Sequence, residues 1–314
     1  MASVAEVRAA RLAELPFEVS VSAGPKAVGG FIASIREIVS HRQLLDLLIR
    51  RELKSRYKDS SLGFVWSLIK PLTQLLIYYV FIGTVLGASR GVPDFAIFVF
   101  AGLTLWGLYS EIIASGTSSI VINAGLIKKV YLPREIFPLA ATGSAIFNFL
   151  IQFGILVLAT IVLGQFPVSL NLLYVPAAVA IVLIWGVAFA ILLSALNVYL
   201  RDIQYLVEVA MLLLFWASPI VYSWTLVVNA AKNHSWLLEV YLLNPISLAI
   251  LAFQRGIWQA GSQTRVIEGT TIPPQAWPAG MDVRLIICAI VGLVVLFFAQ
   301  RIFSRLQGNF AQEI

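Results

Sequence analysis

Between residues 136 and 200 the chain carries no Asp, Glu, Lys or Arg. Water-facing domains carry roughly a quarter charged residues, so a soluble surface cannot be built from this run. A bilayer crossing takes about 20 apolar residues, which makes the run long enough to cross twice. Gly164, Gln165, Pro167, Ser169 and Asn171 mark its middle, where a short turn falls. The whole chain agrees: 12% of its 314 residues are charged, 60% are hydrophobic and the mean hydropathy is +0.89. Lipid offers no partner for backbone N–H and C=O groups, so such a chain crosses as helices. The expectation is an all-α membrane protein.

Six spans are predicted, at about 64–86, 95–120, 136–163, 172–200, 207–222 and 285–303. Ahead of them, residues 1–30 read as a cytoplasmic tail. In residues 31–56, Ile35, Ile38, Val39, Leu45, Leu48 and Ile49 recur at helical spacing beside Arg36, Glu37, Arg42 and Asp46. That pattern is too polar to span and suits an amphipathic helix in the interface plane; a helix docked on a soluble partner has the same pattern. Residues 57–314 then form the transmembrane domain. The single cysteine, Cys288, excludes an intrachain disulfide and reads as a small core residue.

Basic residues orient the spans. Arg50, Arg51, Lys54, Arg56 and Lys58 precede the first, Lys128, Lys129 and Arg134 follow the second, Arg201 follows the fourth, and Arg301 and Arg305 follow the last. The opposite side offers Arg90 in its first loop and no basic residue around Gln165. Both termini are therefore expected in the cytoplasm. The net charge of +6 is mostly this asymmetry and is no sign of nucleic-acid binding.

Residues 240–258 are apolar enough to suggest a seventh span, but Asn244-Pro245 interrupts the helix near its start. Only 246–254 remain before Arg255, about half a bilayer by helical rise. Residues 224–262 are instead expected as short re-entrant or surface helices on the outer face, built into the bundle, with an outer loop over 264–281.

Signatures for chemistry are sparse. Neither G-x-x-x-x-G-K-[ST] nor G-x-G-x-x-G occurs, so neither phosphate cradle is available. His41 and His234 lie far apart in the chain, and no metal cluster, catalytic triad or cofactor site is expected. Charges inside spans are functional candidates by default, and there are three: Lys70, Glu111 and Glu208. Lys70 can snorkel to cytoplasmic headgroups, Glu208 can favour a helix N-terminus, and Glu111 lies deeper, open to a structural or a transport role. Three scattered charges make a poor proton relay. Aromatic residues are more plentiful: Trp66, Tyr78, Tyr79 and Phe81, then Trp106 and Tyr109, then Phe215, Trp216, Tyr222 and Trp224. They suit interfacial belts and packing, or a pore wall whose flat faces and hydroxyl and indole donors fit sugar rings.

Four segments carry a more specific signal. The run 51–71 (RELKSRYKDSSLGFVWSLIKP) resembles the start of the first span in permeases of ABC-2 type polysaccharide exporters, the O-antigen, teichoic-acid and capsule systems. The run 123–138 (NAGLIKKVYLPREIFP) is similar to that family's first cytoplasmic loop. Residues 199–203 (YLRDI) with 217–222 (ASPIVY) look like its fifth span, and Leu243-Asn244-Pro245 with Phe253-Gln254-Arg255 like its outer-face helices. Each is weak alone, and the four stand in the family's order over most of the chain from residue 30.

The resemblance implies a homodimer of six-span permeases bound to two separate ATPase subunits that hold the ATP and magnesium, with no enzyme activity in this chain. It implies a coupling helix at Ala124, Gly125, Leu126, Ile127, Lys128, Lys129, Val130 and Tyr131. In this reading Leu126 and Ile127 insert into the ATPase, the lysines stay at the rim, and Arg201 and Asp202 make a second, shorter contact. Trp66, Tyr78, Tyr79, Phe81, Trp106, Tyr109, Glu111, Phe215, Trp216 and Tyr222 would line the substrate channel. Arg50, Arg51, Lys54 and Arg56 would meet the lipid head group, though phospholipid headgroups account for them equally. Trp224, Asn244, Pro245 and Arg255 would belong to an outer gate. The implied substrate is a polyprenyl-diphosphate-linked glycan exported across the bacterial cytoplasmic (inner) membrane. The whole chain resembles actinobacterial members, which implies a lipid-linked galactan. An ABC-2 permease for a drug or lipid is the alternative. A membrane enzyme acting on lipid-linked sugars needs paired carboxylates, and the outer segments offer only Asp94, Glu239, Glu268 and Asp282, unpaired in sequence.

Overall fold

The computed structural model describes residues 27–57, 65–85, 87, 91–129, 132–232, 234–267 and 270–313. The tail predicted over 1–30 lies, up to residue 26, outside the described residues. The amphipathic stretch forms two helices, α1 (Ala27–Ser40) and α2 (Arg42–Tyr57), separated at His41. Both are seated on protein. Leu48 of α2 is buried, and Ile49 occupies the space left by Gly143, where an added Cβ would lie 2.4 Å from the Ile49 Cδ1.

Among the described residues, five helical segments are long and apolar enough to cross a membrane: Leu68–Val85, Phe95–Ile122, Ile136–Val162, Leu170–Tyr199 and Met281–Asn309. In element terms these are α3 (Trp66–Ile77, continued by a π-helical stretch Tyr78–Val85), α4 (Phe95–Ile122), α6 (Ile136–Val162), α7 (Tyr174–Tyr199, preceded by a 3-10 turn Leu170–Leu173) and α12 (Met281–Leu306). Between α4 and α6 sits the single-turn α5 (Ala124–Ile127). The hub is α4: 78% of its most apolar window is buried within the protein, against 6% for Leu68–Val85, which packs on the outside. Lipid tails give no hydrophobic drive for helix pairing, so close approach through small residues matters. At the α4–α7 crossing Gly116 meets Ala190 so closely that a Cβ on Gly116 would lie 2.5 Å from the Ala190 Cβ.

The fifth predicted span, 207–222, takes a different form. A helix α8 covers Ile203–Trp216, 14 residues or about 21 Å. The chain then leaves helical geometry just ahead of Pro219. Ser218, Ile220, Val221 and Ser223 are buried, and irregular backbone is tolerated there because side chains serve its polar groups. Ser218 Oγ donates to the Leu214 carbonyl (2.7 Å), and Gln254 Nε2 donates to the Pro219 carbonyl (3.0 Å).

Three short helices follow: α9 (Trp224–Ala230), α10 (Ser235–Leu242) and α11 (Pro245–Ile257). The last two meet at 90°. The break is written in Asn244-Pro245. Proline suits the first helical position, and Asn244 caps α11 by accepting from the Ile246 N–H (3.2 Å). Nearly every residue of α11 is buried, Ser247 and Gln254 included. Half a span long, it lies inside the bundle against α4 and α7. The outer loop contains a short antiparallel hairpin, β1 (Arg265–Ile267) with β2 (Thr270–Ile272), registered Arg265 to Ile272. Trp258 anchors this end: its Nε1 donates to the Pro93 carbonyl (2.7 Å) and its ring lies 4.9 Å from Phe98.

Two hydrophobic clusters result. One runs through α4, α7 and α11. The other sits at the basic end, where Leu48, Ile120, Ile127, Ile136, Phe137, Val198, Phe303 and Phe310 tie α2, α5, α6, α7 and the C-terminal segment together.

Candidate functional site

The polar residues of the spans recur at one-turn spacing, and the fold turns several of these rows toward one another. On α3 the row is Trp66, Lys70, Gln74; on α4 it is Gly107, Ser110, Glu111, Ala114, Ser115; on α6 it is Asn148, Gln152; on α8 it is Glu208, Met211. Residues three or four apart share a helix face, so four such faces line an open-sided cavity of about 800 Å³, with Leu103 and Trp106 in its wall. Lys70, Glu111 and Glu208, scattered in the sequence, all line it. Asn148 Nδ2 donates to Glu111 Oε1 (2.8 Å), a charge-assisted contact between α6 and α4.

Of the aromatic residues assigned to a channel, Trp66 and Trp106 line this cavity together with Glu111. Tyr78, Trp106, Tyr109, Phe215 and Trp216 form a connected ring cluster where α3, α4 and α8 meet, with neighbouring centroids 5.5–6.0 Å apart. Tyr109 and Phe215 are buried inside it, while Tyr79, Phe81 and Trp216 face outward from the chain. Tyr222 lies toward the outer end, donating to the Trp216 carbonyl (2.8 Å) and pairing with the Tyr241 hydroxyl (3.2 Å).

A second cavity of about 300 Å³ lies between α2, the end of α4 and the start of α6. Arg51, Ser55, Ser118, Ser119 and Asn123 line it, and Ser115 lines both cavities. A polar stripe on α4 thus connects the bundle interior with the basic end. Arg51 hydrogen-bonds the Asn123 side chain. Arg50 points elsewhere, paired with Asp46 (2.8 Å) on the exposed surface, and Lys54 is exposed. The side chain of Arg56 lies outside the described residues.

The α5 turn presents Gly125, Lys128 and Lys129 outward. Ala124 and Leu126 are half-buried, and Ile127 is packed into the chain's own second cluster. Ile127 shares that cluster with Leu48 and Phe137, and the surface offered outward is Gly125 with the two lysines. Val130 and Tyr131 lie outside the described residues. Arg201 and Asp202 are exposed at the turn before α8, at the same end. Next to this surface, Glu135 is 3% exposed and accepts from Ser34 Oγ of α1 (3.3 Å). Burial, aided by nearby Glu37, pushes its carboxyl above the ordinary carboxylate range.

At the other end, Trp224 is buried and Asn244 serves as cap and donor to Ser247 Oγ (2.9 Å). Arg255 lies over the Tyr174 ring at 4.4 Å. Arg284 donates both terminal nitrogens to Glu239 (2.7 and 2.8 Å), clamping α10 to α12. Among the described residues no group of His, Cys, Asp and Glu is placed to hold a metal ion.

Residues missing from the sequence reading are Gln74, Ser110, Asn148 and Gln152. None of the four is charged or aromatic, so neither property marks them. The signal present was periodic: uncharged amides at Asn148 and Gln152, one turn apart inside a run otherwise suited to lipid.

Helices that cross a membrane around a polar, aromatic-walled cavity are the architecture of a multi-pass transport protein. The chain belongs to the ABC-2 type transporter family, whose pattern matches residues 43–258. It is similar to the O-antigen export system permease protein RfbA of Myxococcus xanthus, 28% identical over 283 residues, 90% of this chain and 100% of the relative. An O-antigen export system permease protein RfbA of Klebsiella pneumoniae is 30% identical over 215 residues, 67% of this chain and 80% of that one. The polysialic acid transport protein KpsM of Escherichia coli is 31% identical over 84 residues, 26% of this chain and 32% of its own length.

Proposed function

We propose that this chain is the transmembrane subunit of an ATP-driven exporter that moves a polyprenyl-diphosphate-linked polysaccharide across the bacterial inner membrane. The observation that carries the reading is the similarity to an O-antigen permease along that relative's whole length. A cavity that combines indole faces with carboxylate, amide and hydroxyl groups supports it, because such a surface suits sugars. Two copies would assemble with two ATPase subunits, and this chain itself would carry out no hydrolysis. The surface at Gly125, Lys128, Lys129, Arg201 and Asp202 would receive the ATPase, with the lysines setting encounter rate and register. Arg51, beside the smaller cavity, would meet the diphosphate as the sugar chain is taken up, and α9 to α11 would gate the outer end. Both termini are then cytoplasmic.

Depleting the subunit in its host tests this. A lipid-linked glycan should accumulate on the cytoplasmic side, and a tagged ATPase should purify with the permease. Accumulation of a drug or phospholipid, with glycan traffic unchanged, refutes the reading. For orientation, Lys232→Cys and Ser262→Cys in a Cys288→Ser background should label with a membrane-impermeant maleimide from outside intact cells. Labelling only after permeabilisation reverses the assignment.

A further inference from the structure

We propose that Phe310 is a positioning residue for ATPase docking. Its buried ring ties the loop that carries Lys128 and Lys129 to the turn that carries Arg201 and Asp202, so that both patches meet the partner as one surface. The inference rests on the exporter reading above and adds to it a residue that the exposed docking surface does not contain.

The segment after α12 is polar apart from one large side chain. Residues 307–313 read QGNFAQE, a run with little apolar surface to bury. Phe310 is nonetheless 0% exposed, while Gly308, Asn309, Gln312 and Glu313 around it are exposed. The ring makes T-shaped contacts with Phe303 of α12 (5.5 Å between centroids) and with Tyr199 at the end of α7 (6.1 Å). The Arg134 guanidinium lies over it, 5.6 Å from its centroid. Tyr199 also donates its hydroxyl to the Leu306 carbonyl (2.7 Å), which pins the start of the segment to α7.

The place of these contacts in the chain gives the ring its role. Arg134 closes the loop that follows α5, and Ile127 anchors α5 itself in the cluster to which Phe310 belongs. Tyr199 ends α7 just ahead of the turn at 200–202. One ring therefore packs against the supports of both exposed patches, which α6 and α7 otherwise separate in the chain. Patches that move independently must each be ordered when a partner binds, whereas a surface fixed in advance avoids that cost. Holding α12 does not by itself require the segment, because α12 already packs against α7.

The test uses the full permease in lipid nanodiscs and the ATPase that co-purifies with it, comparing Phe310→Ala, Tyr199→Phe and Arg134→Lys with wild type. Tyr199→Phe removes only a hydroxyl, and Arg134→Lys keeps the charge but loses the flat guanidinium, so the test stands even where Phe310→Ala melts early. Hydrogen exchange on the permease alone should quicken by about tenfold or more in Phe310→Ala at both 124–129 and 200–203, with the outer hairpin unchanged. ATPase binding, followed by interferometry, should weaken by roughly tenfold in Phe310→Ala. Tyr199→Phe should weaken it by about fivefold, through one lost hydrogen bond, and Arg134→Lys by about threefold, through one lost cation–aromatic contact. Faster exchange confined to 307–313 overturns the positioning role, and so does faster exchange at both patches with ATPase binding at wild-type strength. Insensitivity of all three variants overturns it too. If no ATPase co-purifies with wild type, the exporter reading fails instead, and the exchange measurement, made without the ATPase, still reads the tie.

Discussion

Replacing Gly125 with tryptophan puts a large ring on the exposed face of α5 and separates docking from folding. A Cβ at Gly125 meets nothing within 4 Å, and the residue is not in the left-handed region, so the fold gives no resistance. Surface substitutions of this kind stay within about 0.5 kcal/mol, and loss of a helical glycine offsets part of any cost. If this face is the ATPase contact, a ring there disrupts a packed interface, and central interface positions cost about 2 kcal/mol or more. That is roughly a 30-fold loss of affinity. Ile127→Ala is the control of opposite character. Ile127 is 7% exposed within its own cluster, and truncating a buried Ile costs about 2–5 kcal/mol. The assays are co-purification of a tagged ATPase and thermal unfolding of the permease in detergent. Gly125→Trp should lose the ATPase at wild-type melting temperature, and Ile127→Ala should melt early. A Gly125→Trp complex that purifies intact, with normal ATP turnover, refutes the docking assignment.

Gly116→Ala should destabilise by about 1–3 kcal/mol through overpacking against Ala190. Adding Ala190→Gly should recover most of that loss in a double-mutant cycle measured by denaturant titration, whereas strict additivity would place the clash elsewhere. Trp258→Phe leaves the Pro93 carbonyl without its donor at a buried position, an expected loss of about 1–3 kcal/mol by thermal unfolding. Glu135 has a raised carboxyl in the folded protein. Its contribution to stability is therefore complete below the unfolded-state value near 4.5 and declines as pH rises through the higher folded-state value. Glu135→Gln should flatten that decline, so that its stability advantage over wild type grows from about pH 4.5 upward, and identical pH profiles would contradict the burial.

The spans were legible in the sequence because hydrophobic length and missing charge are local properties. The uncharged run 136–200 yields α6 and α7 with its turn at Gly164, and Asn244-Pro245 yields the 90° break between α10 and α11. The end of α8 was not legible. Hydropathy stays high past Trp216, and what permits the chain to leave the helix there is Gln254, distant in sequence, serving the Pro219 carbonyl. The role of Ile127 was hidden for the same reason. A hydrophobic residue in a basic loop does not reveal that it packs in one cluster with Leu48 and Phe137, which lie far from it in sequence or across a turn. The cavity was half visible: its three charges and two indoles were singled out one by one, but their meeting depends on how four helices are rotated about their axes, and a row of polar residues on one helix does not state what faces it.

Rotation of α4 explains why these features belong to one site. A helix that is the hub of a membrane bundle would ordinarily be apolar on all sides, but α4 carries Ser110, Glu111, Ser115, Ser118 and Ser119, with Asn123 at its cap, along the walls of the two cavities. Polar groups at that depth are tolerated where they line a cavity or meet partners. Here the stripe does both, facing Asn148 at its middle and Arg51 at its basic end. Packing alone gives no reason to place these polar residues along cavity walls on the most buried span. A path along which a polar ligand exchanges water for protein hydrogen bonds does give one. It begins beside the α5 turn, where the proposed ATPase contact lies, so a shift of α5 against α2 and α6 would act directly on the mouth of the stripe. In that reading the site of energy input would sit at the basic end of α4 and the path would run from there along the same helix, the span most buried within the chain.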